Sequence, residues 1–440
     1  MCHTLTHTHA HAYRPPTGFI PCHLYAESSR YNESGAGVRP PSITYDVDPH
    51  WPDGSVIPHV AAGPPGAVGQ ADDRIEVYDF RLCMTNSPGH RLLVSEPEGY
   101  NASEWEFWRR LYKNGTAAPS NLQDAGLGCL GPVPNNYSDC GGAPCTKCDM
   151  LGMKHVRQLL TSLWTPFALF LSPTYLVPML IGCCFCCLES DAVSISGRQA
   201  TDMLNGAWGW PNGTTAERKA IRQAHIDYIQ GLLWFWATDP AAGDALHTEL
   251  ANVGYCTDEY LDGEEGDPPF WPYQLYVREA RRMVGDFVWT EHDPPTGLTA
   301  HSVGLGAYTF DCHWVTMYAN DGEIAVEGRV NNGHDGSPAG GVTQAPYVIP
   351  YEALLPKRSE LTNVLVPVAA SMSHIRQNAV RMEPTWMIMA HAAGTAAAMA
   401  LRHSIAVQAV DVAELQGLLT NEQRQMIWPC CPPKNARPAA

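Results

Sequence analysis

The chain has 440 residues, enough for two or three domains of ~150 residues each. Hydrophobic residues make up 45% of it and charged residues 17%, which excludes a fully disordered chain. With 28 Lys and Arg against 45 Asp and Glu, the net charge is -17. A nucleic acid would be repelled by this balance, so we predict no nucleic-acid partner.

The N-terminal residues 1–24 are rich in His and Thr at their start, and we predict that they are disordered. They contain no basic region followed by an apolar run, so the sequence predicts no secretory signal. The cysteine count of 15 is odd and the chain is long, which does not suggest a compact disulfide scaffold. We therefore expect a reducing compartment and a cytoplasmic location, unless the apolar run described next anchors the chain in a membrane.

Residues 141–191 read as an anomalous Cys-rich hydrophobic insertion. Residues 158–188 contain no charged residue, and their most apolar part, residues 167–188, is just long enough to span a bilayer. Two prolines interrupt the run, and four cysteines lie between Cys183 and Cys187, which is unusual for a spanning helix. A transmembrane segment and a poorly ordered or wrongly included insertion are the alternatives, and the second fits these residues better.

The spacing of Cys140, Cys145 and Cys148 matches three ligands of a plant-type iron–sulfur site. The fourth ligand would have to come from the cysteines between Cys183 and Cys187. An iron–sulfur electron carrier is therefore one hypothesis, and a set of cysteines without a cluster is the other. We predict no other metal ligands.

The middle of the chain carries one clear helix signal. Thr214 and Glu217 form a capping box, and Pro240 marks the end of the helix that follows. Residues 275–288 favour one or two strands. Residues 307–310 and 313–317 also favour strands, with a short acidic turn at Asp311 between them.

The last third predicts a buried parallel strand at residues 362–369, a polar loop at 371–382 and a helix from Pro384 to about Arg402. A strand, loop and helix in this order favour binding of an anion at the N-terminus of the helix. Glycine in a helix interior costs ~1 kcal/mol relative to alanine, so Gly394 predicts a close approach of another element or a ligand. It lies on a stripe of small residues: Ala390, Ala393, Gly394, Ala397 and Ala398. Residues 411–425 predict one more surface helix, followed by a disordered tail.

Several blocks in this region resemble a known family. Five blocks are similar to the C-terminal part of the FAD-dependent oxidoreductases grouped with the flavin subunit of heterodisulfide reductase. They are residues 346–356, 363–369, 373–374, 381–384 and 391–397. Further blocks of that family are matched in the same order by five other segments: residues 30–34, 72–74, 78–82, 277–285 and 308–313. The resemblance covers roughly residues 25–140 and 192–415.

The resemblance implies an α/β fold, namely a partial FAD fold of the two-dinucleotide-binding-domain type with a mixed-sheet substrate domain. It divides the chain into a remnant of the FAD and substrate domain at 25–140, the insertion at 141–191, the substrate domain at 192–345, the closing part of the FAD domain at 346–410, and a C-terminal helix and tail at 411–440. The implied activity is flavin redox chemistry on an unidentified small organic substrate. Some relatives in this group also carry [4Fe–4S] clusters.

One departure from the family is important. FAD domains of this type open with a strand, a G-x-G-x-x-G turn and a helix, and we identify no such unit here. Gly35 and Gly37 do not follow a strand, and Gly304 and Gly306 lack the third glycine. The chain thus resembles a member without its N-terminal nucleotide-binding segment, which should bind FAD weakly or not at all. A non-catalytic remnant or a membrane-attached scaffold of the family is the alternative function.

The candidate site residues follow from the residue pattern and from the resemblance. Asp311 and His313 are two residues apart, so their side chains should lie on one side of a strand. They could serve as a base near the flavin, and a purely structural pair is the alternative. Arg278 belongs to a basic cluster with Arg281 and Arg282 that suits an anionic substrate or, alternatively, forms salt bridges. The resemblance implies cofactor-binding roles for Asn363, Ser373, His374, Arg381, Glu383, Gly394 and Thr395; for Arg381, a surface ion pair is the alternative.

Overall fold

A computed structural model describes residues 43–64, 66–67, 72–115, 118, 122, 147–149, 201–295, 297–332, 346–423, 425 and 427. The predictions for residues 1–24, for most of 141–191 with its apolar run 167–188, and for the tail beyond Trp428 lie outside these residues. Within the described part of the chain, none of the helices has both the length and the apolar character needed to cross a membrane.

Helices and short strands alternate along the described residues. The α-helices are α1 (Glu106–Lys113), α2 (Thr215–Thr238), α3 (Gly243–Leu250), α4 (His374–Val380), α5 (Glu383–His403) and α6 (Val412–Gly417). The strands are β1 (Ile43–Tyr45), β2 (Cys83–Thr85), β3 (Arg91–Leu93), β4 (Lys147–Asp149), β5 (Gly254–Cys256), β6 (Ser302–Gly306), β7 (Phe310–Cys312), β8 (Thr316–Asn320), β9 (Glu323–Glu327), β10 (Val330–Asn332) and β11 (Tyr347–Pro350).

The strands form small antiparallel sheets. One sheet has the order β3-β5-β2-β4, a second has the order β1-β9-β8, and β10-β7 and β11-β6 are two-stranded. This mixture of helices and sheets agrees with the expected α/β class. The two-dinucleotide-binding-domain arrangement stays a prediction.

The first hydrophobic core surrounds α2. The predicted capping box is confirmed, because the Thr214 side chain accepts from the backbone N–H of Glu217 while the Glu217 carboxylate accepts from that of Thr214. Helix α2 then ends at Thr238, just before Pro240, as predicted. Its inner face buries Phe235 and Trp236, which pack among aromatic residues of α1 and of the turn preceding it.

The second hydrophobic core lies on the inner face of α5. The predicted helix is confirmed at Glu383–His403, with proline in its first turn, where a missing N–H costs no hydrogen bond. The helix packs against β6, and Met389, Ala392 and Ala396 are fully buried. Helix α6 and the π-helical turn Leu418–Glu422 add Leu415 and Leu419 to this core, which confirms the last surface helix.

Two predictions for the last third are wrong. Residues 362–369 are not a buried parallel strand: Val364 and Val368 are exposed, and no strand of the described chain pairs with them. The predicted polar loop contains α4, because the Ser373 side chain caps the helix by accepting from the backbone N–H of Arg376. An apolar run does not reveal whether a partner strand exists, and polar residues form a buried helix when the fold supplies them with partners.

The middle segments are also more irregular than expected. Asp311 lies inside β7 rather than in a turn between strands. The strand pattern of residues 275–288 is realised only as isolated bridges and single backbone hydrogen bonds, such as the bridge between Tyr276 and Asp79. These bonds run to different neighbouring segments, so no continuous ladder forms.

A disulfide joins two parts of the first core. Cys83 on β2 and Cys256 on β5 are bonded, and they are 173 residues apart in the chain. They extend the pairing in which Met84 faces Tyr255, and both are almost fully buried. The sequence did not indicate this pairing, since the two cysteines lie outside the Cys clusters.

We predict that this disulfide stabilises the fold. Closing a loop of this length restricts the unfolded chain and typically contributes ~2–5 kcal/mol. Urea unfolding with and without reductant measures the contribution, and a peptide map without reductant should recover Cys83 linked to Cys256. The Cys83→Ala/Cys256→Ala variant is the control, because reductant should not change its stability. Equal stability of the wild-type protein in both conditions would contradict the prediction.

Candidate functional site

Buried charged side chains meet at the boundary between the two hydrophobic cores. We call them the buried ionic cluster, and all are less than 9% exposed: Glu76, Asp79, Asp202, Arg278, Glu279, Arg282, Asp311, His313 and Arg381. Charged residues are rarely buried this deeply unless they are paired. The cluster is therefore the strongest candidate for a functional site among the described residues.

Glu76 connects two chain segments. Its backbone N–H donates to the Glu279 carboxylate at 2.9 Å, and its own carboxylate accepts from the backbone N–H of His313 at 2.7 Å. Ile75 and Val77, on either side, are buried in the first core and hold the segment in place. The position of the His313 backbone is thus fixed by a carboxylate.

Asp202 bridges a guanidinium and an imidazole. One of its oxygens lies 3.4 Å from Arg278 and the other lies 3.4 Å from Nδ1 of His313. Arg278 also donates to the carbonyl oxygen of Val77 at 2.7 Å. A carboxylate in this position can orient the histidine ring and stabilise its charged form.

Arg381 anchors the other side of the cluster. It pairs with the Asp311 carboxylate at 3.1 Å and donates to Asn378 at 2.9 Å and to the hydroxyl of Tyr276 at 3.1 Å. The hydroxyl of Tyr308 donates to the same Asp311 carboxylate at 2.7 Å. Arg381 is therefore a buried ion-pair partner and not part of a surface ion pair.

Three guanidinium groups surround the ring of Tyr276. Their carbon atoms lie 3.8 Å from the ring centroid for Arg81, 5.2 Å for Arg278 and 6.0 Å for Arg381, distances typical of cation–π contacts. Tyr276, Arg81 and Tyr308 are partly exposed, while Arg278 and Arg381 are buried. The cluster thus comes closest to solvent on the side of Tyr276.

Glu279 extends the cluster to α4. It lies 3.3 Å from Arg282 and 3.9 Å from Nδ1 of His374. Burial lowers the pKa of His374, which favours a neutral ring. Ser373, the next residue, caps α4 and donates to Glu291 at 2.7 Å. Burial opposes ionisation of Glu291, yet hydrogen bonds from His292 and Ser373 lower its pKa to about 2.

Two carboxyl groups of the cluster titrate near neutrality. Burial, and secondly the charge of Glu279, raises the pKa of Glu76 to about 7. Burial, and secondly the charge of Asp202, raises the pKa of Asp79 to about 7. Carboxyl groups with such pKa values can exchange protons at physiological pH, which is typical of functional sites.

The structure brings together some of the predicted site residues. Asp311, His313, Arg278, Arg381 and His374 all lie in or next to the cluster. Asp311 joins the cluster through Arg381, and His313 joins it through Asp202. The salt-bridge alternative for the basic cluster applies to Arg278 and Arg282, whereas Arg281 is exposed.

Other predicted residues lie away from the cluster. Asn363, Glu383 and Gly394 are exposed, and the Thr395 hydroxyl contacts His391 and Gln423. A Cβ atom on Gly394 would have no neighbour within 4 Å, so the expected close approach to another element is wrong within the described chain. The reason is the rotation of the helix, whose buried face carries Met389, Ala392 and Ala396 instead. The cofactor roles of these residues stay predictions from the resemblance.

Sequence reasoning missed five residues of the site, namely Glu76, Asp79, Asp202, Glu279 and Tyr276. A signal for Glu76 and Asp79 was present, because they and Arg81 are charged residues that interrupt the apolar residues from Ile75 to Leu82. For Asp202 no comparable signal exists, since its partners Arg278 and His313 are more than seventy residues away in the chain.

The iron–sulfur hypothesis finds no support. Cys140 and Cys145 lie outside the described residues, and Cys148 belongs to β4. Within the part of the chain that the structure covers, no group of three or more His, Cys, Asp or Glu residues could hold a metal ion.

One literal G-x-G-x-x-G string occurs in the sequence, from Gly126 to Gly131. Pro132 and Pro134 follow it, and no apolar run precedes it, so the sequence around it does not predict the strand and helix of a dinucleotide-binding turn. The string also lies outside the described residues.

Comparison with known proteins identifies one family. The family model of FAD dependent oxidoreductases matches residues 21–419. A search of curated proteins and a search of solved structures found no significant match.

We predict that Glu76 makes stability depend on pH. Its pKa is 4.5 in an unfolded chain and about 7 when folded, so between these values the folded protein holds a proton that the unfolded chain has lost. Stability from this group is therefore lost as pH rises from ~5 to ~7. Glu76→Gln should gain about 1–3 kcal/mol relative to wild type across this interval, measured as urea unfolding free energies at both pH values.

Glu323→Gln is the control, because Glu323 is exposed and its replacement tests the loss of one acidic side chain outside the cluster. A constant difference between Glu76→Gln and wild type would show that Glu76 is ionised in the folded protein throughout.

Proposed function

The chain belongs to the family of FAD dependent oxidoreductases, and from this premise we propose that it oxidises or reduces a small organic substrate held at the buried ionic cluster. The observation that carries the proposal is the bridge from Arg278 through Asp202 to His313. This bridge places a guanidinium group that can bind an anion, Arg278, close to an imidazole that can accept a proton, His313.

His313 is the base of the proposed reaction. Its Nδ1 faces Asp202, so the other ring nitrogen, Nε2, is the one that receives a proton from the substrate. Asp202 stabilises the charge that develops on the ring, and Glu76 holds the His313 backbone. These contacts keep the ring in one orientation while it gains or loses the proton.

Arg278, Arg381 and Tyr276 orient the substrate. Both guanidinium groups are paired with a carboxylate, Arg278 with Asp202 and Arg381 with Asp311, and this pairing reduces their charge. A substrate with a partly negative oxygen, such as a carbonyl or an alkoxide, fits this environment better than a dianion does. It would enter from the side of Tyr276, where the cluster approaches solvent.

The cofactor of the family fits the described residues in part. The guanidinium groups around Tyr276 suit the polar edge of a flavin or the substrate beside it. The described residues contain no glycine-rich turn between a strand and a helix, so they offer no cradle for the pyrophosphate. When bound, FAD supplies the two-electron acceptor or donor of the reaction.

The first test is binding of FAD to the full chain. We expect weak quenching of flavin fluorescence on addition of the protein, of similar strength for FAD and for FMN, because the described residues offer no cradle for the pyrophosphate. Absence of binding of either flavin would contradict the proposal and would favour a non-catalytic member of the family.

The second test concerns His313. We expect His313→Gln to lower the rate of dye-coupled oxidation of a panel of small alcohols, hydroxy acids and amines by ~10²–10⁴-fold and to abolish the acidic limb of the pH–rate profile, where protonation of the base stops the reaction. His403, which is exposed on α5, is the control, because His403→Gln should keep both the rate and the profile. A pH profile that is unchanged in His313→Gln would rule out its role as the base.

A further inference from the structure

The outer face of α5 is apolar although it is exposed. No charged residue occurs between Glu383 and Arg402, and Met387 and Leu401 are 70% and 82% exposed. We define the outer face by its exposed residues Met387, Ala390, Gly394, Ala398 and Leu401. His391, also exposed, borders this face, and its ring nitrogen contacts Gln425. An exposed helix face with this many apolar residues is normally covered by another element, and the inner face already packs on the second core.

The outer face is symmetric about Gly394. Met387 and Leu401 each lie seven residues from it, and Ala390 and Ala398 each lie four residues from it. Seven residues are about two helical turns, so the two large side chains share one line along the helix with Gly394 between them. An antiparallel copy of the helix crossing at Gly394 would therefore place Met387 against the partner's Leu401.

The charges at the two ends fit the same arrangement. Glu383 begins the helix, and Arg402 and His403 end it. Antiparallel pairing brings Glu383 close to the partner's Arg402 and aligns the helix dipoles favourably, while parallel pairing would set like charges side by side.

We propose that the outer face of α5 binds a second copy of this chain, as an antiparallel helix pair with its two-fold axis at Gly394. The contact is isologous, since the same surface is used on both copies. Gly394 and the flanking alanines allow the helix axes to approach to the short end of the usual ~8–10 Å range. The open space next to Gly394 is where the partner's backbone lies.

Neighbouring apolar residues enlarge the surface. A helix of 21 residues is ~30 Å long, and a single helix pair of this length buries less than the ~1,000 Å² of a typical stable interface. Leu361 and Ile405 are also exposed and lie at the C-terminal end of α5, where Val407 donates to the carbonyl oxygen of Thr362. We therefore expect a dimer that dissociates in the micromolar range.

Sedimentation equilibrium of the full chain tests the proposal. We expect a concentration-dependent mass that rises from 48.1 kDa towards twice that value. Gly394→Arg should weaken association at least tenfold, because two like charges would meet on the axis. Gly417→Arg is the matched control, since Gly417 is also a helical glycine with open space around it. A protein that stays monomeric, or a dimer that tolerates Gly394→Arg, would overturn the proposal.

Charge reversal tests the orientation of the pair. Glu383→Lys and Arg402→Glu should each weaken the dimer, and the double variant should regain most of the wild-type affinity. No recovery would rule out the antiparallel register.

Saturating FAD should leave the dimer intact. Dissociation by FAD would mean that the cofactor occupies the outer face, which overturns the dimer while leaving the flavin-binding test of the proposed function positive.

Discussion

The buried ionic cluster is the constraint on which the two cores depend. Removing charges from water costs several kcal/mol per ion unless each is paired and hydrogen-bonded. Here the carboxylates and guanidinium groups come from segments far apart in the chain, for example Asp202 with Arg278 and Asp311 with Arg381. The cluster therefore forms only when both cores are in place, and it fixes how the segments that carry them are arranged.

The energetics of the cluster also explain its chemical character. The cluster has more carboxyl groups than guanidinium groups, so not every carboxyl group has a positive partner. Some of them therefore keep their proton up to about pH 7, as the raised pKa values of Glu76 and Asp79 show. Replacing the whole set by apolar residues would often cost little stability, whereas removing one partner leaves an uncompensated charge. A buried set of charges that adds little net stability is easier to explain if the charges bind a substrate or a cofactor.

Local signals in the sequence predicted the helices well. The capping box at Thr214 and the proline after Glu383 act within one turn of the chain, so they could be read without knowing the fold. The strand expected at residues 362–369 failed because a strand needs a partner, and composition does not name one. Helix α4 was missed because its buried polar residues, such as Arg376 and Asn378, read as a loop until their partners are known.

The candidate site shows the same division between local and distant information. Asp311, His313, Arg278 and Arg381 could be selected from residue type and resemblance, but their pairing could not, because Asp202, which joins Arg278 to His313, comes from another part of the chain.

The sequence correctly placed Gly394 inside a helix, but it wrongly placed Gly394 on the side of the helix that packs against another element. A stripe of small residues winds around the helix, and only the packing of Met389 and Ala396 decides which side is covered. The uncovered side then carries Met387 and Leu401, whose exposure is unfavourable in water. Among the residues that the structure describes, no element covers this outer face, and the symmetry about Gly394 makes a second copy of the chain the partner that fits it.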